Sequence, residues 1–182
     1  MLPRTVFGRS ILTPEECKIL CDYGSSKCKE SVVESGERLF EVTDHRNSLN
    51  TFFDKGDDPE VDKILGTVVR SYLEASAEHL LFPISHIESP QYAEYTEGMY
   101  YNYHWDCIDD PLMDRDVSAS LFLSDSNDYE GGELEFENID NGNPFKVEEN
   151  QGDMIVFPSL FRHRVNAVTK GIRRSLVIWG RR

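Results

Sequence analysis

Three side chains suited to holding a metal ion stand out: His104 and Asp106, separated by Trp105, and His163 far downstream. Residues two apart on a β-strand project from one face. His104 and Asp106 can therefore present an imidazole and a carboxylate to a common point, with His163 returning on another strand. Two histidines and one carboxylate on one side of an ion leave the opposite positions open, the arrangement of non-haem Fe(II) oxygenases. The H-x-D spacing alone also fits a solvated polar pair on a surface strand. The downstream residues weigh against that reading: Phe161-Arg162-His163-Arg164-Val165, then Gly171-Ile172-Arg173-Arg174-Ser175-Leu176, then Trp179.

The order H-x-D, H, G-x-R-x-S, W resembles the 2-oxoglutarate-dependent Fe(II) oxygenases, most closely their prolyl-4-hydroxylase-like branch. Tyr95-Thr96-Glu97-Gly98, with Tyr101 and His104, is similar to that branch's approach to the metal. Val117–Ser124, Gly131-Gly132-Glu133, Gly152-Asp153 and Phe157-Pro158 resemble its later strands and turns, and Arg46-Asn47-Ser48 resembles an R-x-S segment near its substrate entrance. Small bacterial and phage proteins with a prolyl hydroxylase domain are the nearest likeness.

The resemblance implies Fe(II) on His104, Asp106 and His163, with 2-oxoglutarate and O2 as co-substrates and ascorbate as a supporting reductant. It implies that Arg173 holds the distal carboxylate of 2-oxoglutarate, with Ser175 and Tyr95 as hydroxyl donors to the same molecule. Trp179 and Arg46 would line the substrate pocket. Strand parity agrees on the arginine: Arg173, not Arg174, shares a face with Ser175 and Trp179. A planar guanidinium grips a carboxylate through two parallel hydrogen bonds.

The reaction implied is hydroxylation of an unactivated C–H with release of succinate and CO2. Its substrate would be a prolyl residue in a protein or peptide, or else a free amino acid or small metabolite. A non-catalytic sensor or binding protein on the same scaffold is the alternative, since fold does not fix function.

Composition narrows the class. The 182 residues suit one domain with a full core, and no apolar run approaches the ~20 residues of a membrane span. No apolar signal region comes after Met1, so the cytoplasm is the expected compartment. The net charge is −14. That charge, without a basic aromatic groove, argues against nucleic-acid partners and an oxidative nucleic-acid demethylase. Residues 88–160 hold 18 acidic and 2 basic side chains, whereas residues 161–182 hold 7 basic and none acidic. The basic tail is expected to complement the acidic strands beside it. His45, His79 and His86 lie outside the motif and read as ordinary residues. Cys107, next to a candidate ligand, is a site where oxidation would harm activity.

These residues need a scaffold. Thr13-Pro14-Glu15-Glu16 predicts a capped helix start, with Gly24 as its stop. Asp58-Pro59-Glu60 opens a second helix reaching about Leu81, its stripe Val61, Ile64, Leu65, Val68, Tyr72 and Leu73 packing on a sheet. Residues 27–54 read as one or two strands and a long loop, with a strand over Leu39–Val42. Eight strands come next: His86–Tyr95, Tyr100–Asp106, Val117–Leu123, Leu134–Glu137, Phe145–Val147, Met154–Phe157, His163–Val165 and Arg173–Trp179. The expected fold is mainly β, a double-stranded β-helix (jelly roll) of two facing antiparallel sheets with N-terminal helices on one sheet. Residues 1–182 form a single domain, 1–83 as helical support and 84–182 as the jelly-roll core. Trp105, between two ligands, should face away from the metal and pack. Ser31–Ser48 and the acidic Cys107–Asp116 are the candidate lids.

Overall fold

In the computed structural model, which describes residues 6–8, 10–34, 46–80, 83–107, 115–138 and 140–182, the chain opens with β1 (Val6–Gly8), α1 (Pro14–Glu34), β2 (Arg46–Asn47), β3 (Leu49–Phe52) and α2 (Pro59–Glu78). It continues through β4 (His86–Ile87), β5 (Gln91–Tyr95), β6 (Tyr100–His104), β7 (Val117–Phe122) and β8 (Tyr129–Gly131). The chain ends with β9 (Leu134–Glu137), β10 (Pro144–Lys146), β11 (Met154–Pro158), β12 (His163–Val165), β13 (Val168–Gly171) and β14 (Arg173–Arg181).

Both helices start where their caps predict. The Thr13 hydroxyl accepts from the Glu16 N–H at 3.3 Å, and the Glu16 carboxylate accepts from the Thr13 N–H at 2.9 Å. Asp58 accepts from the N–H groups of Glu60 and Val61, with Pro59 in the first turn. Caps of this kind contribute about 1 kcal/mol each. Gly24 does not stop α1, which continues to Glu34. A Cβ at Gly24 would lie 2.5–2.6 Å from the Tyr92 ring. The glycine thus marks where α1 presses on β5, not a cap. The second helix ends at Glu78, short of the expected Leu81.

The strands pair into a seven-stranded sheet, with the path β1-β11-β7-β14-β5-β3 and β4 beside β14, and a five-stranded sheet ordered β10-β9-β12-β6-β2. All described pairings are antiparallel. Central strands β5, β7 and β11 of the larger sheet are buried on both faces. Strand β11, Met-Ile-Val-Phe-Pro, reads as the apolar run such burial favours, whereas β5 and β7 carry polar side chains as well. On β14, Leu176 and Ile178 join the core under the helices with Val61, Ile64, Val68 and Tyr72. The opposite face turns toward the smaller sheet, where Phe122, Ile155 and Phe157 meet Leu134, Phe136 and Val165. The expected jelly roll with helices on one sheet is what forms.

Several boundaries differ from the sequence reading. Residues 1–83 are more than helical support, because β1, β2 and β3 pair with β11, β6 and β5 and so extend both sheets. The strand expected over His86–Tyr95 breaks at Glu88–Pro90, and β8 and β13 form an extra two-stranded ribbon. The strand expected to reach Asp106 ends at His104. Beyond it the Asp106 and Cys107 N–H groups both donate to the Ser159 carbonyl, pulling the chain out of the ladder. Trp105 is consequently 56% exposed instead of packed. The expected strand over Leu39–Val42, His45 and most of both candidate lids lie outside the described residues. His79 and His86 are exposed.

The basic tail pairs with the acidic strands as its charge predicts. Arg162, Arg164, Lys170, Arg173, Arg174 and Arg182 form ion pairs with Glu137, Glu135, Glu130, Glu149, Glu94 and Asp116 respectively. No helix of the described residues is long and apolar enough to cross a membrane.

Candidate active site

The two histidines meet because β12 pairs with β6 in a register that puts His163 directly opposite His104. Asp106 hangs just beyond the end of β6. Its Oδ1 lies 3.6 Å from His104 Nε2, and its Oδ2 lies 3.6 Å from His163 Nε2. Ligand atoms of all three residues lie within 4.8 Å of one another, and all three side chains are buried. Ligands held ~2.1 Å from one ion at right angles stand about 3 Å apart, so a small contraction suffices.

The backbone fixes which ring nitrogens face the centre. His104 Nδ1 lies 2.8 Å from the Asn102 carbonyl, and His163 Nδ1 lies 2.8 Å from the Phe161 carbonyl. A carbonyl accepts only, so each Nδ1 carries the proton and each Nε2 offers its lone pair inward. The Tyr101 ring stacks on His104 with centroids 3.5 Å apart, which holds the imidazole plane.

Charge states favour a cation. Burial alone would raise the Asp106 carboxyl, but in the acid range where it would titrate the protonated rings of His163 and His104, with Ser118, hold it well below the usual carboxylate range. Burial lowers His163 below its usual value, His104 adds to this, and Asp106 opposes it. The set thus stands as a carboxylate and a neutral imidazole, the forms a metal takes.

These shifts give a pH test. A histidine whose folded pKa is depressed contributes stability above its unfolded value of about 6.5, lost as pH falls through the folded value. In metal-free protein the His163 ring resonance should titrate below about 6.5 by NMR. A midpoint at or above that value would contradict the burial argument.

One cavity of ≈ 280 Å³ is lined by every residue singled out from the sequence: His104, Asp106, His163, Arg173, Ser175, Tyr95, Trp179 and Arg46. The alternation of β14 is as its parity predicts: Arg173, Ser175, Val177 and Trp179 all line the cavity, while Arg174 turns to Glu94 at 2.9 Å. Arg46 lies over the Tyr101 ring and donates to Ser48, Asn50 and Gln91. Among the described residues, three buried polar atoms of side chains lining this cavity have no hydrogen-bond partner: Asp106 Oδ2, Arg173 Nη2 and Trp179 Nε1. An acceptor among metal-type ligands and two donors on other side chains of the same lining fit a cation and an anionic or carbonyl-bearing ligand.

Three further lining residues, Arg115, Gln91 and Ser120, have no role assigned to them by the sequence pattern. Arg115 stacks on Trp179, 3.8 Å from the ring centroid, and grips Glu88 through two bonds of 2.7 and 2.6 Å. Gln91 and Ser120 add polar lining. Glu149, from the loop before β11, meets Arg173 at 3.0 Å. Nothing in the local pattern Val147-Glu148-Glu149-Asn150 distinguishes Glu149 from its neighbours; only the fold brings it inward.

A family model of the 2OG-Fe(II) oxygenase superfamily matches residues 90–181. The chain belongs to that superfamily. The matched span runs from β5 to the end of β14 and holds every proposed site residue except Arg46. Among curated relatives of this superfamily member, a PKHD-type hydroxylase of Idiomarina loihiensis is 41% identical over 88 residues, covering 47% of this chain and 38% of that protein. A PKHD-type hydroxylase of Crocosphaera subtropica is 35% identical over 131 residues, covering 66% and 55%. The chain thus spans about half the length of the curated relatives it matches.

Two solved structures share the fold. A Pseudomonas putida prolyl-4-hydroxylase aligns with TM-score 0.77 and 24% identity over 99% of this chain and 93% of that one. A Trichoplax adhaerens prolyl hydroxylase, in complex with a hypoxia inducible factor oxygen degradation domain peptide fragment, aligns with TM-score 0.75 and 19% identity over 97% and 83%.

Proposed function

We propose that this protein is a 2-oxoglutarate-dependent Fe(II) dioxygenase that hydroxylates an unactivated C–H, releasing succinate and CO2. The observation that carries this is the meeting of His104, Asp106 and His163 in one cavity with the buried guanidinium of Arg173. Fe(II) bound with 2-oxoglutarate would supply the oxidising chemistry.

The chain's own residues hold and orient the reactants. His104, Asp106 and His163 would hold the ion, with their ligand atoms on the wall of the cavity. Arg173, with Ser175 beside it, takes the distal carboxylate through charge-assisted hydrogen bonds. Tyr95, buried at the same end, adds a hydroxyl. Trp179, clamped by Arg115, and Arg46 shape the wall against which the target carbon lies. Burial of the ligand set keeps bulk water from the reacting centre.

The substrate we favour is a prolyl residue in a protein or peptide, as the PKHD-type and prolyl hydroxylase relatives suggest. A free amino acid or small metabolite is the second reading, favoured by the modest cavity of ≈ 280 Å³. The net charge of −14 favours neutral or basic partners. Proline-containing peptides with Lys or Arg flanks are expected to stimulate succinate formation severalfold more than acidic ones, with added salt narrowing the gap. Hydroxylation of free proline or another metabolite, with no peptide accepted, would replace the peptidyl assignment. Metal and 2-oxoglutarate binding without succinate release would point to a sensor.

A further inference from the structure

Arg173 already meets one carboxylate inside the protein. Its Nε donates to Glu149 Oε2 at 3.0 Å, and its Nη2 lies 3.0 Å from the same oxygen. Glu149 is itself held. The Tyr129 hydroxyl donates to Oε2 at 3.0 Å, and the Leu134 N–H donates to Oε1 at 2.5 Å. Burial and the Glu149 charge push the Tyr129 phenol up, so it stays a donor. Both partners of the pair are buried, at 2% exposure for Arg173 and 7% for Glu149. Gly132, at φ +71°, lets the chain close on the arginine, since a Cβ there would stand 3.0 Å from Arg173 Cδ.

The cavity is therefore offered only the outer edge of the guanidinium. Nη1 makes a long 3.3 Å bond to Ser175 Oγ, and Nη2, in ion-pair contact with Glu149 but not aligned for a hydrogen bond to it, has no hydrogen-bond partner among the described residues. An anion arriving at that edge meets an arginine whose charge is already matched, and a second carboxylate fixed behind it.

We infer that Glu149 is a resident counter-anion of Arg173 that sets the affinity and selectivity of the co-substrate site. It secures the arginine when the site is empty and weakens binding of the second carboxylate of 2-oxoglutarate. This rests on the reading of Arg173 as the anchor for that carboxylate. An unpaired buried charge is costly. Removing Glu149 must therefore destabilise the ligand-free protein until a ligand carboxylate supplies the missing charge. By linkage the same deficit reappears as tighter binding.

The experiment uses Mn(II)-loaded, oxygen-free protein, titrated calorimetrically with 2-oxoglutarate and with 2-oxopentanoate, which keeps the chain length and lacks the distal carboxylate. Glu149→Gln is expected to bind 2-oxoglutarate roughly five- to tenfold more tightly, about 1–1.4 kcal/mol. Its affinity for 2-oxopentanoate should be unchanged and its ligand-free melting temperature lower. A purely structural glutamate would lower the melting temperature and leave 2-oxoglutarate affinity unchanged or weaker, which overturns the inference.

Tyr129→Phe loosens the carboxylate but keeps its charge, so it should not tighten binding; tightening equal to that of Glu149→Gln overturns it too. Should Glu149→Gln fail to fold alone, refolding with each oxoacid decides. Recovery with 2-oxoglutarate only supports the counter-anion role, and recovery with both or neither refutes it. The wild-type arm tests the underlying reading separately. If the wild type binds 2-oxoglutarate no better than 2-oxopentanoate, Arg173 is not the anchor and the inference falls with that assignment.

Discussion

Replacing His104, Asp106 or His163 with alanine is expected to abolish Fe(II)-dependent succinate formation, a loss of at least about 100-fold, while each variant remains folded. All three residues provide inward-facing ligand atoms within 4.8 Å of one another, and no fourth His, Cys, Asp or Glu joins the cluster among the described residues. Losing one of the three proposed ligands would leave too few to hold the ion against water. Stability should separate the three variants. Asp106→Ala takes the carboxylate away from both histidine Nε2 atoms but opens less space than the loss of an imidazole. His163→Ala leaves the Phe161 carbonyl without its donor and opens a gap beside the Phe136 and Phe157 rings, whose centroids lie 5.6 and 5.0 Å from the imidazole. Cavity formation in a packed site costs about 2–5 kcal/mol. His163→Ala should therefore melt lowest. Calorimetric titration with Mn(II), beside circular dichroism of each variant, checks both statements. Metal-dependent turnover surviving in folded His163→Ala would remove that residue from the centre.

What the sequence made legible were features carried by short-range periodicity. The parity of β14 put Arg173, and not Arg174, on the cavity face because a strand alternates faces every residue, and both faces of that strand have distinct destinations: the cavity for Arg173, Ser175 and Trp179, the helices for Leu176 and Ile178. Caps on both helices were legible because Thr13, Glu16 and Asp58 bond within three residues of themselves.

What was hidden depends on pairs distant in sequence. Gly24 looks like a stop until Tyr92, from β5, is seen against it. Trp105 looks like a packing residue until Ser159 draws the chain off β6. Glu149 carries no local mark, and its role exists only because Arg173, Tyr129 and the Leu134 N–H converge on it. Arg115, a lone basic residue among the aspartates of Cys107–Asp116, is fixed by Trp179 and Glu88 from two other segments.

Arg173→Ala is expected to weaken 2-oxoglutarate binding by roughly 2–5 kcal/mol, the range for truncating one partner of a buried charge-assisted pair. Two effects act in the same direction. The donors facing the cavity disappear, and Glu149, 7% exposed on its side chain, loses its counter-charge and repels the incoming dicarboxylate. The loss should thus fall toward the upper end of the range, and binding of 2-oxopentanoate should change little. Arg174→Ala provides the contrast. Its guanidinium pairs with Glu94 at 2.9 Å on the helix side of the sheet, where Ser25 and Tyr92 also donate to Glu94. Deleting it leaves a buried carboxylate short of its cation, so the melting temperature should drop while 2-oxoglutarate affinity stays within about twofold of wild type. Isothermal titration of both variants, each loaded with Mn(II) under nitrogen, measures the difference directly. Equal losses, or the larger loss at Arg174, would mean that β14 presents its other face to the co-substrate, contrary to the cavity formed by Arg173, Ser175 and Trp179.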